Sequence, residues 1–132
     1  MSIPYQPAAC AWVSRKGAAD GVVAVSAKDS PSIRLYRARS GSSEPVSENS
    51  SVHAAPVRLM AYNSAHHAVV SADERGMVEY WSPDDFELPA AAVKFRFKAE
   101  TSLYEFCKKK TKPQSLAFSA DGSQFVCMGE DK

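Results

Sequence analysis

Histidine suits proton transfer and metal ligation near neutral pH, and this chain has three, His53, His66 and His67. Adjacent histidines project in different directions, and no third ligand stands at a fixed spacing, so neither a metal nor any other cofactor is expected. His53 reads as a structural hydrogen-bonding residue and the pair as solvent-exposed turn residues. Ser14, Ser26 or Ser119 could each be grouped with a His and an Asp into a nucleophilic triad. Any chain this rich in serine supplies such groupings, however, and the G-x-S-x-G elbow is missing, so no catalytic residue is assigned. Cys10, Cys107 and Cys127 are odd in number and contain no C-x-x-C pair, which argues against a disulfide framework or zinc site and for reduced thiols in the cytosol or nucleus. Cys10, near Trp12, and Cys127, in an apolar run, read as small core hydrophobes; Cys107 alone has electropositive neighbours, Lys108 to Lys110. Those lysines, with Lys112 and the aromatics Tyr104 and Phe106, could meet RNA phosphates or serve nuclear import, against the simpler reading of a solvated helix end. Asp84, Asp85 and Glu87 could pair as acids, but after Trp81-Ser82-Pro83 they read as a turn.

The elements that would position these groups are short and β-rich. With 132 residues, 45% apolar and 23% charged, the chain can bury the core of one domain. A net charge of +1 argues against a protein whose main task is coating nucleic acid or an anionic membrane. No apolar run reaches a membrane-spanning length, and Met1 to Lys16 lacks the pattern of a signal peptide.

Cys10 to Val13 and Val22 to Ser26 flank a turn and predict a hairpin, and Ile33 to Arg37 alternates as a third strand. Half of residues 40–51 are serine, so this stretch predicts a surface connection with at most a short edge strand around Val46. The pattern then recurs. Val57 to Tyr62, Ala68 to Ala72 and Met77 to Trp81 predict a second meander, and Val93 to Lys98 a fourth strand with one wet face. Ser102-Leu103-Tyr104-Glu105 matches a capping box, predicting a short helix near 102–109. Ser115 to Ser119 and Gln124 to Gly129 begin a third copy. Superimposing the turns sets Trp12 on Tyr62 and Phe118, giving periods of 50 and 56 residues, against about 40 to 45 for a four-stranded propeller blade.

Phe118-Ser119-Ala120-Asp121-Gly122 followed by Phe125 to Asp131 resembles the WD40-repeat family in the order of strand, turn, strand and turn. His53, Ser71 and Trp81 stand where that family has its His, its strand Ser and its closing aromatic, and Asp121, Gly122 and Asp131 match its turn positions. Departures accompany the match: Ser82 follows Trp81 where the family has Asp, Arg75 holds the usual Asp turn position, and Tyr36-Arg37 replaces Trp-Asp. The family's hydrogen-bonded tetrad of His, Ser, Asp and Trp is therefore expected to be incomplete in every copy. Gly76 to Trp81 and Leu103 to Phe106 further resemble the WD-repeat part of a nuclear cyclophilin family associated with spliceosomes or chromatin, in which a propeller precedes a cyclophilin domain.

The resemblance implies an all-β, partial WD40 β-propeller of about two and a half blades of antiparallel four-stranded sheet. Its units would be 8–50, 53–110 and a truncated 112–132, inside a longer ring. The implied role is a non-catalytic nuclear scaffold binding other proteins of a splicing complex. Candidate partner-binding residues are Asp84, Asp85 and Phe86 in one loop and Tyr104, Lys108, Lys109 and Lys110 in another. Two alternatives stand beside it: part of a peptidyl-prolyl cis-trans isomerase polypeptide whose catalytic domain is absent here, or an RNA-binding platform through Lys94, Arg96, Lys98 and the lysine cluster.

Overall fold

The computed structural model describes residues 2–89 and 104–130. Among these residues nine strands form three antiparallel sheets that follow one another along the chain. The first contains β1 (Pro7–Arg15), β2 (Ala18–Ala27), β3 (Ile33–Arg37) and β4 (Ser47–Asn49) in sequential order. The second contains β5 (Val57–Asn63), β6 (Ala68–Asp73) and β7 (Val78–Trp81), and the third β8 (Pro113–Phe118) and β9 (Phe125–Gly129). A short helix, α1 (Glu105–Lys109), precedes β8. No described helix is long and apolar enough to cross a membrane.

The leading strands carry the stacking: β1 lies against β5, and β5 against β8. Between the first two sheets Val13, Val22, Ala24, Ile33 and Leu35 meet Val57, Val69 and Trp81. Between the second and third, Ala68, Val70, Ala72, Val78 and Tyr80 meet Leu116, Phe118, Phe125 and Phe106. Trp81 and Tyr80 are adjacent and so point to opposite faces, one into each core. Every residue of β6 is buried, which explains why its sequence is apolar apart from Ser71 and Asp73, because a central strand covered on both faces has no wet side.

The hairpins exceed their sequence signals. The first turn is only Lys16-Gly17, with Gly17 left-handed at φ 75°, so β1 and β2 pair from Pro7↔Ala27 to Arg15↔Ala18. Asp20 and Gly21, expected in the turn, lie in β2. The edge strand expected near Val46 is β4, pairing Ser47 with Leu35.

Among the described residues the sheets have four, three and two strands. The short helix expected near 102–109 is α1, which starts at Glu105 behind Tyr104, whose side chain makes no cap hydrogen bond. Residues 102 and 103 lie outside the described residues, as do the strand expected at Val93 to Lys98, its cations Lys94, Arg96 and Lys98, and Asp131.

Gly122 and Gly76 show where the sheets cannot yield. Gly122 is left-handed at φ 70°, and a Cβ there would strike the Asn63 side chain. Asn63 Nδ2 donates to the Gly122 carbonyl at 2.8 Å, tying the second sheet to the third. Gly76, at φ 85°, leaves no room for a Cβ beside the backbone of Phe106, Cys107 and Thr111, and so seats α1 on the β6–β7 turn.

Candidate functional site: two histidine relays

The β6–β7 turn is built on Asp73. Its Oδ1 accepts the backbone N–H groups of Arg75 at 2.9 Å and Met77 at 3.0 Å, an Asx-type turn closed by left-handed Gly76. This leaves Oδ2 facing the core, where it lies 3.0 Å from His53 Nδ1. His53 Nε2 is 2.7 Å from Ser71 Oγ, and Trp81 Nε1 donates to that same oxygen at 3.0 Å. Indole N–H is a donor only, so the protons run one way. Trp81 donates to Ser71, the Ser71 hydroxyl to His53 Nε2, and His53 Nδ1–H to Asp73. With His53 Nδ1 donating and Nε2 accepting, every polar atom of the network has a partner. Burial alone would push the Asp73 carboxyl up, but the hydrogen bonds from His53 and from the Met77 and Arg75 backbone outweigh it and hold the group below its ordinary range.

The expectation that a tetrad of His, Ser, Asp and Trp is incomplete in every copy is thereby corrected. Asp73, two residues before Arg75, supplies the carboxylate. The signal was present in Asp73-Glu74-Arg75-Gly76, where an Asp three residues before a Gly predicts a side-chain-closed turn.

Distances alone would fit a nucleophilic triad, but Ser71 is 0% and His53 3% exposed, and the Ser71 oxygen already accepts from Trp81. A substrate carbonyl has no path to it, and the network ties β6 and β7 to the segment before β5 on one face of the sheet. Ser14 and Ser119 join no such relay. Ser26 Oγ accepts from the Ala9 N–H at 3.0 Å and donates to the Val57 carbonyl at 2.9 Å, stitching the first sheet to the second.

A second relay reaches solvent. His67, left-handed at φ 48°, holds Nδ1 3.0 Å from the Tyr62 hydroxyl and Nε2 2.9 Å from Asp84 Oδ2. Asp84 Oδ1 accepts the Lys16 backbone N–H at 2.9 Å. Burial opposes ionisation of Asp84, yet the bonds from Lys16 and His67 keep its carboxyl below the ordinary range. His67 and Asp84 are therefore bonded residues that clamp the loop after β7 onto the β1–β2 turn, a correction to His67 as a bare turn residue. His66 is exposed, as expected. Among the described residues no three His, Cys, Asp or Glu groups converge to hold a metal ion.

The remaining candidates do not meet. Phe86 stacks on Trp81 at 5.2 Å between centroids, Asp85 Oδ1 caps the Glu87 N–H, and Lys108 to Lys110 are exposed beside half-buried Tyr104. Asp121 lies in the exposed β8–β9 turn, where hydrogen bonds from the Ser119 hydroxyl and from the Ser123 backbone and hydroxyl lower its carboxyl to about 2. Cys10 is exposed, correcting its placement in the core: β1 turns Cys10 and Trp12 outward and Val13 inward. Cys127 is half-buried, and burial pushes its thiol up.

No protein-family model matches the chain. Three curated relatives align along nearly all of it. Peptidyl-prolyl cis-trans isomerase CYP71 of Arabidopsis thaliana is 36% identical over 132 residues, 100% of this chain and 21% of the relative. Peptidyl-prolyl cis-trans isomerase cyp15 of Rhizopus delemar is 40% identical over 97% of this chain and 20% of its own length. Peptidylprolyl isomerase domain and WD repeat-containing protein 1 of Homo sapiens is 35% identical over 100% of this chain and 20% of its own length. The chain thus spans about a fifth of the length of the curated relatives it matches. These findings correct the sequence reading of a WD40-family, non-catalytic scaffold, because no WD40 model matches and the proteins similar along the whole chain are named for peptidyl-prolyl isomerisation.

Proposed function

We propose that this chain is part of a peptidyl-prolyl cis-trans isomerase polypeptide, with the isomerising groups outside the described residues. The observation that carries the reading is the alignment of the entire chain with proteins named for that activity. An isomerase must lower a barrier of about 18–20 kcal/mol to rotation about the peptide bond. Chemically, that calls for an apolar recess that grips the proline ring and a hydrogen-bond donor aimed at the prolyl nitrogen. The recess beside Val78, Phe106, Phe125 and Cys127 is also lined by Ser123 and Gln124 and holds no arginine, whereas the recess at Arg15, Lys16 and Arg37 is cationic and lacks an aromatic wall.

The finer architecture belongs to the same proposal: three sheets stacked in chain order through their leading strands are what an arc of a β-propeller would present. So do nuclear residence and binding to proteins of a splicing assembly, which rest on the family resemblance. A fluorescent fusion and affinity purification would read these two directly.

A protease-coupled proline isomerisation assay tests the central reading. The complete polypeptide containing this chain is expected to accelerate isomerisation, and the 132-residue chain alone to leave the uncatalysed rate unchanged. No acceleration by the complete polypeptide would overturn the isomerase reading. Acceleration by this chain alone would overturn only the placement of the reacting groups.

A further inference from the structure

At one end of the seam between the first two sheets, a recess of about 370 Å³ is lined by Arg15, Lys16, Ala18, Arg37, Val46 and Asp84. The pairings that close the first sheet place it: Arg15 opposes Ala18 and Arg37 opposes Val22, so both arginines reach the same end of the sheet. Three cations converge there with a single carboxylate. That carboxylate is already engaged on both oxygens, Oδ1 by the Lys16 backbone N–H and Oδ2 by His67 Nε2. Among the described residues no carboxylate lies within ion-pair distance of the Arg15, Lys16 or Arg37 side chains, whose one hydrogen bond, from Arg37 Nη2 to the Gly17 carbonyl, is long at 3.4 Å. Like charges gathered at one recess repel each other, and a bound anion relieves that repulsion.

We propose that Arg15, Lys16 and Arg37 form an anion-binding recess that takes the phosphoryl group of a phosphorylated peptide. Two guanidinium forks present paired N–H donors suited to tetrahedral phosphate oxygens, and the lysine adds a point charge. A phosphoserine or phosphothreonine brings roughly −1.5 to −2 charges and three acceptor oxygens, which matches three unpaired cations better than one carboxylate does. Ala18 and half-exposed Val46 form an apolar wall for the peptide stem. RNA fits less well, because it needs a track of cations along several phosphates, and this is one recess on a chain of net charge +1. The inference does not rest on the isomerase reading and survives its failure.

The test titrates the 132-residue chain with a fluorescent phosphoserine peptide flanked by small residues, its unphosphorylated twin, inorganic phosphate as competitor and a short single-stranded RNA, read by anisotropy at low salt. The phosphopeptide is expected to bind at least about tenfold tighter than its twin and to be displaced by phosphate, with Arg15→Gln and Arg37→Gln each weakening it about tenfold. Arg58→Gln, which removes a cation already paired with Glu74, is the control and should stay within about twofold. Lys16→Gln replaces an exposed side chain without breaking the backbone bond to Asp84, and circular dichroism checks that each variant is folded. Equal affinity for the two peptides overturns the proposal, as does wild-type binding by all three recess variants. RNA binding tenfold tighter than the phosphopeptide and lost in the same variants overturns the peptide assignment.

Discussion

Replacing Ser71 with alanine removes one oxygen atom and strands two buried partners. Trp81 Nε1–H loses its 3.0 Å acceptor, and His53 Nε2 loses the hydroxyl 2.7 Å away. Ser71 is 0% exposed, and the vacated volume, about that of one oxygen, is too small to admit a water in its place. Each orphaned group costs about 1–3 kcal/mol, and the indole and imidazole are held by packing, so the two penalties add to roughly 2–6 kcal/mol. We expect about 3 kcal/mol, which for a chain of this size lowers the melting midpoint by roughly 10 °C. Urea unfolding followed by far-UV circular dichroism measures it, with the slope against denaturant unchanged if the unfolded state is unaffected. Ser14→Ala, on the exposed face of β1, is the reference and should cost less than about 0.5 kcal/mol. If Ser71→Ala costs no more than Ser14→Ala, the relay is not the tie described here.

Asp73→Asn keeps the shape but places an NH₂ against His53 Nδ1–H, and should cost about 2 kcal/mol or more at pH 7. The Asp73 carboxyl titrates below its ordinary 3.8 in the folded chain, so its contribution is complete above that value and is lost as pH falls through the lowered one. Denaturation of wild type and variant at pH 7, 5 and 3 should therefore show the gap narrowing only at the acid end. Gly122→Ala forces a Cβ into Asn63 at a left-handed position. A loss of about 1–3 kcal/mol should appear in hydrogen exchange as faster opening of β8 and β9, with the first sheet unchanged. Cys10 should react with a maleimide several-fold faster than Cys127, because Cys10 is exposed whereas burial raises the Cys127 thiol; peptide mapping after a short pulse decides it.

The β elements were legible in the residues because their signals are local. Period-two alternation marked β3, an apolar run between turn signals marked β6, and Asp121-Gly122 marked the β8–β9 turn. Extent was less legible: Lys16 and left-handed Gly17 alone make the first turn, so Ala18 to Gly21 join a strand that their types do not announce. The site depended on contacts between distant positions. His53 and Asp73 are 20 residues apart, and they meet where the segment between β4 and β5 lies against the end of β6, while Asp73 closes the β6–β7 turn with its other oxygen. The same holds for His67 and Asp84, joined across 17 residues, and for Cys10, whose exposure follows from which face of β1 the second sheet covers. Side-chain types along a strand state what each residue can do, whereas pairing register and stacking select which partner it finds.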